Sequence, residues 1–241
     1  MLILAFDSTA KAASVAITDG ERALAEYTVD NGLTQSELLL PMAESLISSL
    51  KISFSDIDIY AAATGPGSFT GVRIGAALVK GLAFGREIPC IEVSTLEALA
   101  ENLAPLRGIL LPCMDARRGQ VYNAIFKSDD GGLKRLTPDR AISLDELADE
   151  ISAIEEPIYL SGDGAELAKR HFAARGIKIQ DTPALLINQS AASVARTAYR
   201  KYLSGEYKSD SNFSPSYLRL PQAERERLER EVAQKKQEKR E

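Results

Sequence analysis

Apolar and polar positions divide the chain into short runs that read as a β-meander, followed by segments of helical spacing. Residues 2–6 form an apolar run ending at Asp7-Ser8-Thr9. A second strand is predicted over 12–18, a hairpin turn at Asp19-Gly20, and a third strand over 22–29. Asn31-Gly32 breaks the pattern, and the period then changes. Over 34–50, Leu39, Ala43, Leu46 and Leu50 form one apolar stripe, and Leu38, Met42 and Ser45 form a second beside it. Thr34 with Glu37 three residues on is a capping box, and Pro41 marks either the true first turn or a kink. A helix covering one sheet needs one stripe. The extra width implies a second neighbour, either another helix of the same fold or another subunit. Strands are predicted over 59–64 and 88–93, and a helix over 94–103 capped by Ser94 or Thr95. An antiparallel meander joined to parallel crossovers makes the fold α/β.

The pattern then restarts. An apolar strand over 108–114 ends at Asp115, and the tip Ala116-Arg117-Arg118-Gly119 leads to a strand over 120–127. Extended pieces at 133–136 and 140–142 precede a helix over 144–154 capped by Ser143. A strand over 157–160, the loop Ser161-Gly162-Asp163-Gly164 and helices over 166–175 and 189–204 follow. Each half delivers an Asp to a hairpin tip and later reaches a strand, a glycine loop and a helix. This is an internal duplication with a period of roughly half the chain. It predicts two lobes of βββαβα plan, 1–104 and 105–220, with both Asp tips in the cleft between them. The tail 221–241, almost wholly charged or polar, is predicted to be a solvated helix or disordered.

The stretch 61–85, AAATGPGSFTGVRIGAALVKGLAFG, reads as strand end, glycine loop and helix. That combination is a natural anion site. The loop is nevertheless no Walker A motif, since no Lys-Ser/Thr follows, and Thr70 stands where a third Gly would belong in GxGxxG. Gly71 and Gly75, and then Ala77, Gly81 and Gly85, recur every four residues, which lets another backbone approach the helix closely. Phosphate cradle and structural turn with a docking helix are the two readings, and the second is favoured.

The net charge of −5, from 29 basic and 34 acidic residues, argues against a protein that grips nucleic acid alone. Cys90 and Cys113 lie in apolar surroundings without CxxC spacing, so they read as buried thiols. The single histidine, His171, is expected on a helix surface and rules out a His-pair metal site. With no basic leader and no membrane-length apolar run, the chain is expected to be soluble and cytoplasmic. Asp7 and Asp115, with Ser8 and Thr9, are candidate contacts for Mg²⁺ and ATP or ADP. The competing reading is a strand-end Asp accepting backbone N–H bonds. Arg117 and Arg118 could bind phosphate but read better as an exposed tip. No catalytic residue, metal ligand or tightly bound cofactor is expected.

Several segments together resemble the bacterial TsaB (YeaZ) family. They are Asp7-Ser8-Thr9, Ser36-Glu37-Leu38-Leu39-Leu40-Pro41, residues 64–75 with GPGSFTG, residues 93–99, Asp115-Ala116-Arg117-Arg118-Gly119-Gln120-Val121-Tyr122 and Tyr217-Leu218-Arg219. The resemblance runs from residue 1 to about 226, departing at Gln35, where the family often has His. It implies an actin/hexokinase-like (ASKHA) two-lobed fold and a role in making N-threonylcarbamoyladenosine beside the tRNA anticodon. It also implies as partners the TsaD transferase paralogue and the TsaE ATPase, with tRNA met through the complex. The paralogue's HxxxH metal pair falls where this chain has Thr95 and Leu99, neither of which can replace an imidazole.

Three classes of function remain. The favoured one is a non-catalytic partner subunit, a homodimer when alone, that docks through Leu38, Leu39, Met42, Ser45 and Leu46 with Phe69, Val72, Arg73, Ala76 and Lys80. The others are a free-standing ATP-binding or ATP-hydrolysing enzyme and a peptidase. Against the peptidase stands the lack of an evident base–nucleophile pair. Against the ATPase stands the weak second glycine loop.

Overall fold

The computed structural model describes residues 1–219; the tail 221–241 lies outside the described residues. The first lobe is a five-stranded sheet, with strands 22–29, 13–19, 2–7, 59–63 and 90–93 side by side in that order. Strands β1 (Leu2–Asp7), β2 (Ala13–Asp19) and β3 (Arg22–Val29) are the antiparallel meander. Strands β4 (Ile59–Ala63) and β5 (Cys90–Val93) run parallel to β1. The period of two splits β1 between two cores. Leu4 and Phe6 face α1 (Gln35–Leu50) and α2 (Phe69–Ala83). Ile3 and Ala5 face Val194, Ala195 and Ala198 of α6 (Ala191–Leu203). Helix α1 runs through Pro41 without ending, and its start is fixed by Glu37, which accepts from the Thr34 N–H at 3.1 Å and the Thr34 hydroxyl at 2.7 Å.

The second lobe repeats the plan with interrupted strands. Strand β6 (Gly108–Arg117) is its centre. The strand predicted over 120–127 is instead two, β7 (Gln120–Asn123) and β8 (Phe126–Asp129), both antiparallel to β6. Pro112 accounts for the gap, since it offers no N–H to the ladder. The buried Asn123 side chain donates there to the Pro112 and Ala124 carbonyls, at 3.0 and 3.2 Å. The outer pieces are likewise split into β9 (Gly132–Arg135), paired with β8, and β10 (Arg140–Ser143), paired with β7. Strand β11 (Ile158–Ser161) lies parallel on the other side of β6. Helices α4 (Leu144–Ile151) and α5 (Ala165–Ala174) cover this sheet with Leu147, Ile151, Ala168 and Phe172. The predicted helix over 144–154 stops three residues early.

The lobes exchange helices. Helix α3 (Thr95–Leu103) follows the first sheet in sequence, yet Leu96, Leu99, Ala100 and Leu103 pack on Leu110, Met114 and Phe126 of the second. Helix α6 follows the second sheet and returns to the first. The division at residue 104 therefore separates the sheets but not the helices. The two helices meet at buried Glu101, which pairs with Arg196 at 3.3 Å and with Arg200. At the same contact Asn102 accepts from the Ser193 hydroxyl at 2.9 Å. The result is a two-lobed α/β fold in which the second lobe repeats the βββαβα plan of the first with its outer strands split.

Candidate functional site

The Asp7-Ser8-Thr9 tip is buried, with exposures of 1%, 1% and 0%. Asp7 Oδ1 accepts from the Thr9 N–H at 2.9 Å and from its hydroxyl at 2.7 Å, the strand-end arrangement. Asp7 Oδ2 has no partner. The glycine loop closes over this tip. The Ser68 N–H donates to the Thr9 carbonyl at 2.7 Å, and Ser68 Oγ caps α2 by accepting from the Gly71 N–H at 3.2 Å. A Cβ at Gly67 would run into the Thr9 carbonyl, and one at Gly71 into the Ser8 carbonyl. A Cβ at Gly75 would lie 2.8 Å from Ser8 Oγ, and the Ser8 hydroxyl donates to the Gly71 carbonyl at 2.8 Å. The loop and the Gly71–Gly75 face are thus filled by the chain's own backbone. The Ser68 and Gly71 N–H groups are bonded within the chain and are not offered to a phosphate. The close approach predicted for the small residues is intramolecular at this end of the helix.

An open cavity of about 290 Å³ lies between the lobes. Thr9, Lys11, Gln35, Gly67 and Ser68 line it from one side and Met114, Asp115 and Asp163 from the other. Of the tip, Thr9 faces it; Asp7 and Ser8 do not line it. Asp115 Oδ1 accepts from the Arg117 N–H at 2.7 Å, and Asp163 accepts from the Asp115 N–H at 2.9 Å. Burial pushes the Asp163 carboxyl above its usual range. Gln35 donates to the carbonyls of Ala10 and Lys11, at 3.0 and 3.1 Å, so it holds the tip's return loop. Among the described residues no group of three or more His, Cys, Asp or Glu is placed to hold a metal. His171 lies on the surface, 3.0 Å from Asp145. Both cysteines are buried and free, their thiols pushed up by burial to about 11 for Cys90 and about 12 for Cys113.

Burial also pushes the Asp7 carboxyl from 3.8 up to about 6. The folded chain then holds this proton at a pH where the unfolded chain has lost it. The contribution is fully present below about pH 4 and is lost as pH rises through about 6, a cost of about 3 kcal/mol once both states are ionised. Asp7→Asn cannot titrate. Its melting temperature relative to wild type is expected to rise between about pH 4 and pH 7, read by calorimetry at both; an unchanged difference contradicts this account.

The residues predicted to dock divide into two groups. Leu39, Met42, Leu46, Val72 and Ala76 are 1–7% exposed and belong to the first lobe's core, so the fold itself uses them. The second neighbour of the broad α1 face is α2, with Ile52 and Phe54. Leu38, Ser45, Phe69, Arg73 and Lys80 retain surface. Lys80 is engaged, donating to the carbonyls of Ser211 and Phe213 at 3.3 and 3.2 Å. The accessible stripe of α2 is Thr70, Arg73, Ala77 and Gly81, flanked by half-buried Ile74 and Leu78, which pack on the first lobe's core as Leu38 of α1 does. Nothing lies within 4 Å of a Cβ built at Gly81. Within the stripe, Arg73 sits 3.9 Å over the Phe69 ring and donates to the Tyr217 hydroxyl at 2.8 Å. The Phe69 and Tyr217 rings are 5.0 Å apart. Ala77 and Gly81, which the four-residue spacing had marked, lie on this accessible face, and Tyr217 is exposed beside it.

Two sequence relatives match over nearly their whole length and share one name. The chain is 31% identical to the tRNA threonylcarbamoyladenosine biosynthesis protein TsaB of Bacillus subtilis (strain 168), over 95% of this chain and 99% of that one. It is 30% identical to the protein of the same name from Escherichia coli (strain K12), over 91% and 95%. The chain belongs to the TsaB (YeaZ) family. A broader family model, described as "TsaD: tRNA N6-adenosine threonylcarbamoyltransferase", matches residues 34–227. Among solved structures, a Pseudomonas aeruginosa protein described as having similarity to peptidase YEAZ superposes with a TM-score of 0.75 at 26% identity, covering 90% of this chain and 99% of that one. For this TsaB-family chain, no helix among the described residues is long and apolar enough to cross a membrane.

Proposed function

We propose that this chain is a non-catalytic partner subunit for threonylcarbamoyl transfer to the adenosine beside the tRNA anticodon. It acts in the cytoplasm, scaffolds the TsaD transferase paralogue and works with the TsaE ATPase. The accessible α2 stripe carries the reading: Ala77 and Gly81 leave room for a second backbone, with half-buried Ile74 and Leu78 beside them on the helix. The names borne by the family relatives support the pathway. The filled glycine loop supports a chain without a phosphate-transfer step of its own. Thr95 and Leu99, where the resemblance places the paralogue's metal pair, are buried in packing. Alone, the same stripe would pair two copies of the chain, so homodimer and heterodimer would compete for one surface. The test is to titrate the chain into TsaD, TsaE, tRNA, ATP and threonylcarbamoyl-adenylate and follow transfer to tRNA. Transfer should rise with added chain and saturate near equimolar TsaD. Full transfer without the chain would sink the proposal.

A further inference from the structure

After α6 the chain turns back and crosses from one lobe to the other in seven residues, 213–219. Phe213 is anchored in the first lobe's core at 1% exposure, with Lys80 bonded to its carbonyl. The Ser214 N–H donates to Glu92 at 2.7 Å, and the Ser216 N–H to the Thr64 carbonyl at 2.8 Å. Gly65 has no side chain where the Ser216 carbonyl lies. Tyr217 joins the Phe69–Arg73 stack. Arg219 then reaches the second lobe, donating to the Ala116 carbonyl at 3.2 Å and to the Gln120 side chain, with its guanidinium 5.7 Å from the Tyr122 ring.

The two anchorages are the two walls of the inter-lobe cavity. On one side Thr64 and Phe69 flank Gly67 and Ser68; on the other Ala116 follows Asp115. We infer that residues 213–219 form a latch that holds the lobes together across this cavity, with Arg219 as its catch on the β6–β7 hairpin. The latch stands on contacts within the chain and needs no partner. Its Tyr217 link lies beside the stripe on which a partner would dock, so a partner gripping that stack acts on the lobe separation; this second step rests on the proposed docking.

Ser36→Cys and Glu166→Cys place spin labels on opposite sides of the cavity, next to Gln35 and near Asp163, while the native Cys90 and Cys113 are fully buried. Pulsed dipolar spectroscopy on the full chain should give one narrow distance distribution. Arg219→Ala should broaden it and move it outward, and Gln120→Ala, which removes the other half of the same hydrogen bond, should do the same. Circular dichroism of both should match wild type. Distributions that overlay wild type in both folded variants would overturn the latch. Adding the TsaD paralogue should shift the wild-type distribution and leave that of Arg219→Ala broad. If sedimentation shows the complex formed and the wild-type distribution does not move, the coupling to docking is wrong while the docking reading stands.

Discussion

Gly71→Ala is expected to destabilise the chain by about 3 kcal/mol, while the same change at Gly81, ten residues along the same helix, stabilises it by about 0.5–1 kcal/mol. At Gly71 the new methyl would run into the Ser8 carbonyl, a backbone atom that cannot rotate away. Ser8 is pinned from its other side by its own hydroxyl bond to the Gly71 carbonyl, so relief requires α2 to lift from the tip. At Gly81 nothing lies within 4 Å, and alanine removes only the backbone freedom that glycine brings to the unfolded chain. For a chain of this size the first shift corresponds to a fall of about 6–12 °C in melting temperature. Calorimetry of the two variants in parallel checks it. Equal and small effects would mean that α2 does not rest on the tip as described.

The second large effect concerns association. Ala77→Arg combined with Gly81→Gln should leave the monomer folded, since both positions are exposed and both new side chains suit a helix. It should weaken pairing through the stripe at least about 100-fold, equivalent to about 2.7 kcal/mol. Two long side chains would then stand where a neighbouring backbone must come close. A charge introduced at Leu39 or Val72 cannot make this test, because each is 1% exposed in the first lobe's core and the variant would unfold.

That contrast shows how far the sequence could be read. Elements with local signals were legible. The Thr34–Glu37 and Ser143–Glu146 capping boxes fix helix starts, and apolar periodicity gave the succession of strands and helices and the two-lobed duplication. Features that depend on which surfaces meet were not legible. The broad stripe of α1 could belong to a partner or to the fold, and periodicity cannot say which; the structure gives Leu39, Met42 and Leu46 to the core. Spacing of four identified Gly71 and Gly75 as sites of close approach, yet the approaching backbone is the chain's own, from a tip more than sixty residues earlier. The exchange of α3 and α6 between lobes has no signature in local pattern, because both helices are apolar on the buried side wherever they dock. The break between β7 and β8 had a visible cause in Pro112, whose missing N–H acts where β7 ends at Asn123, eleven residues away.

The central claim is that α2's exposed small-residue stripe is where the TsaD paralogue docks. Sedimentation velocity of this chain with equimolar TsaD tests it most directly, comparing wild type with the Ala77→Arg, Gly81→Gln variant. The account predicts a single heterodimer boundary for wild type and two separate monomer boundaries for the folded variant. A variant that sediments with TsaD as wild type does would contradict it.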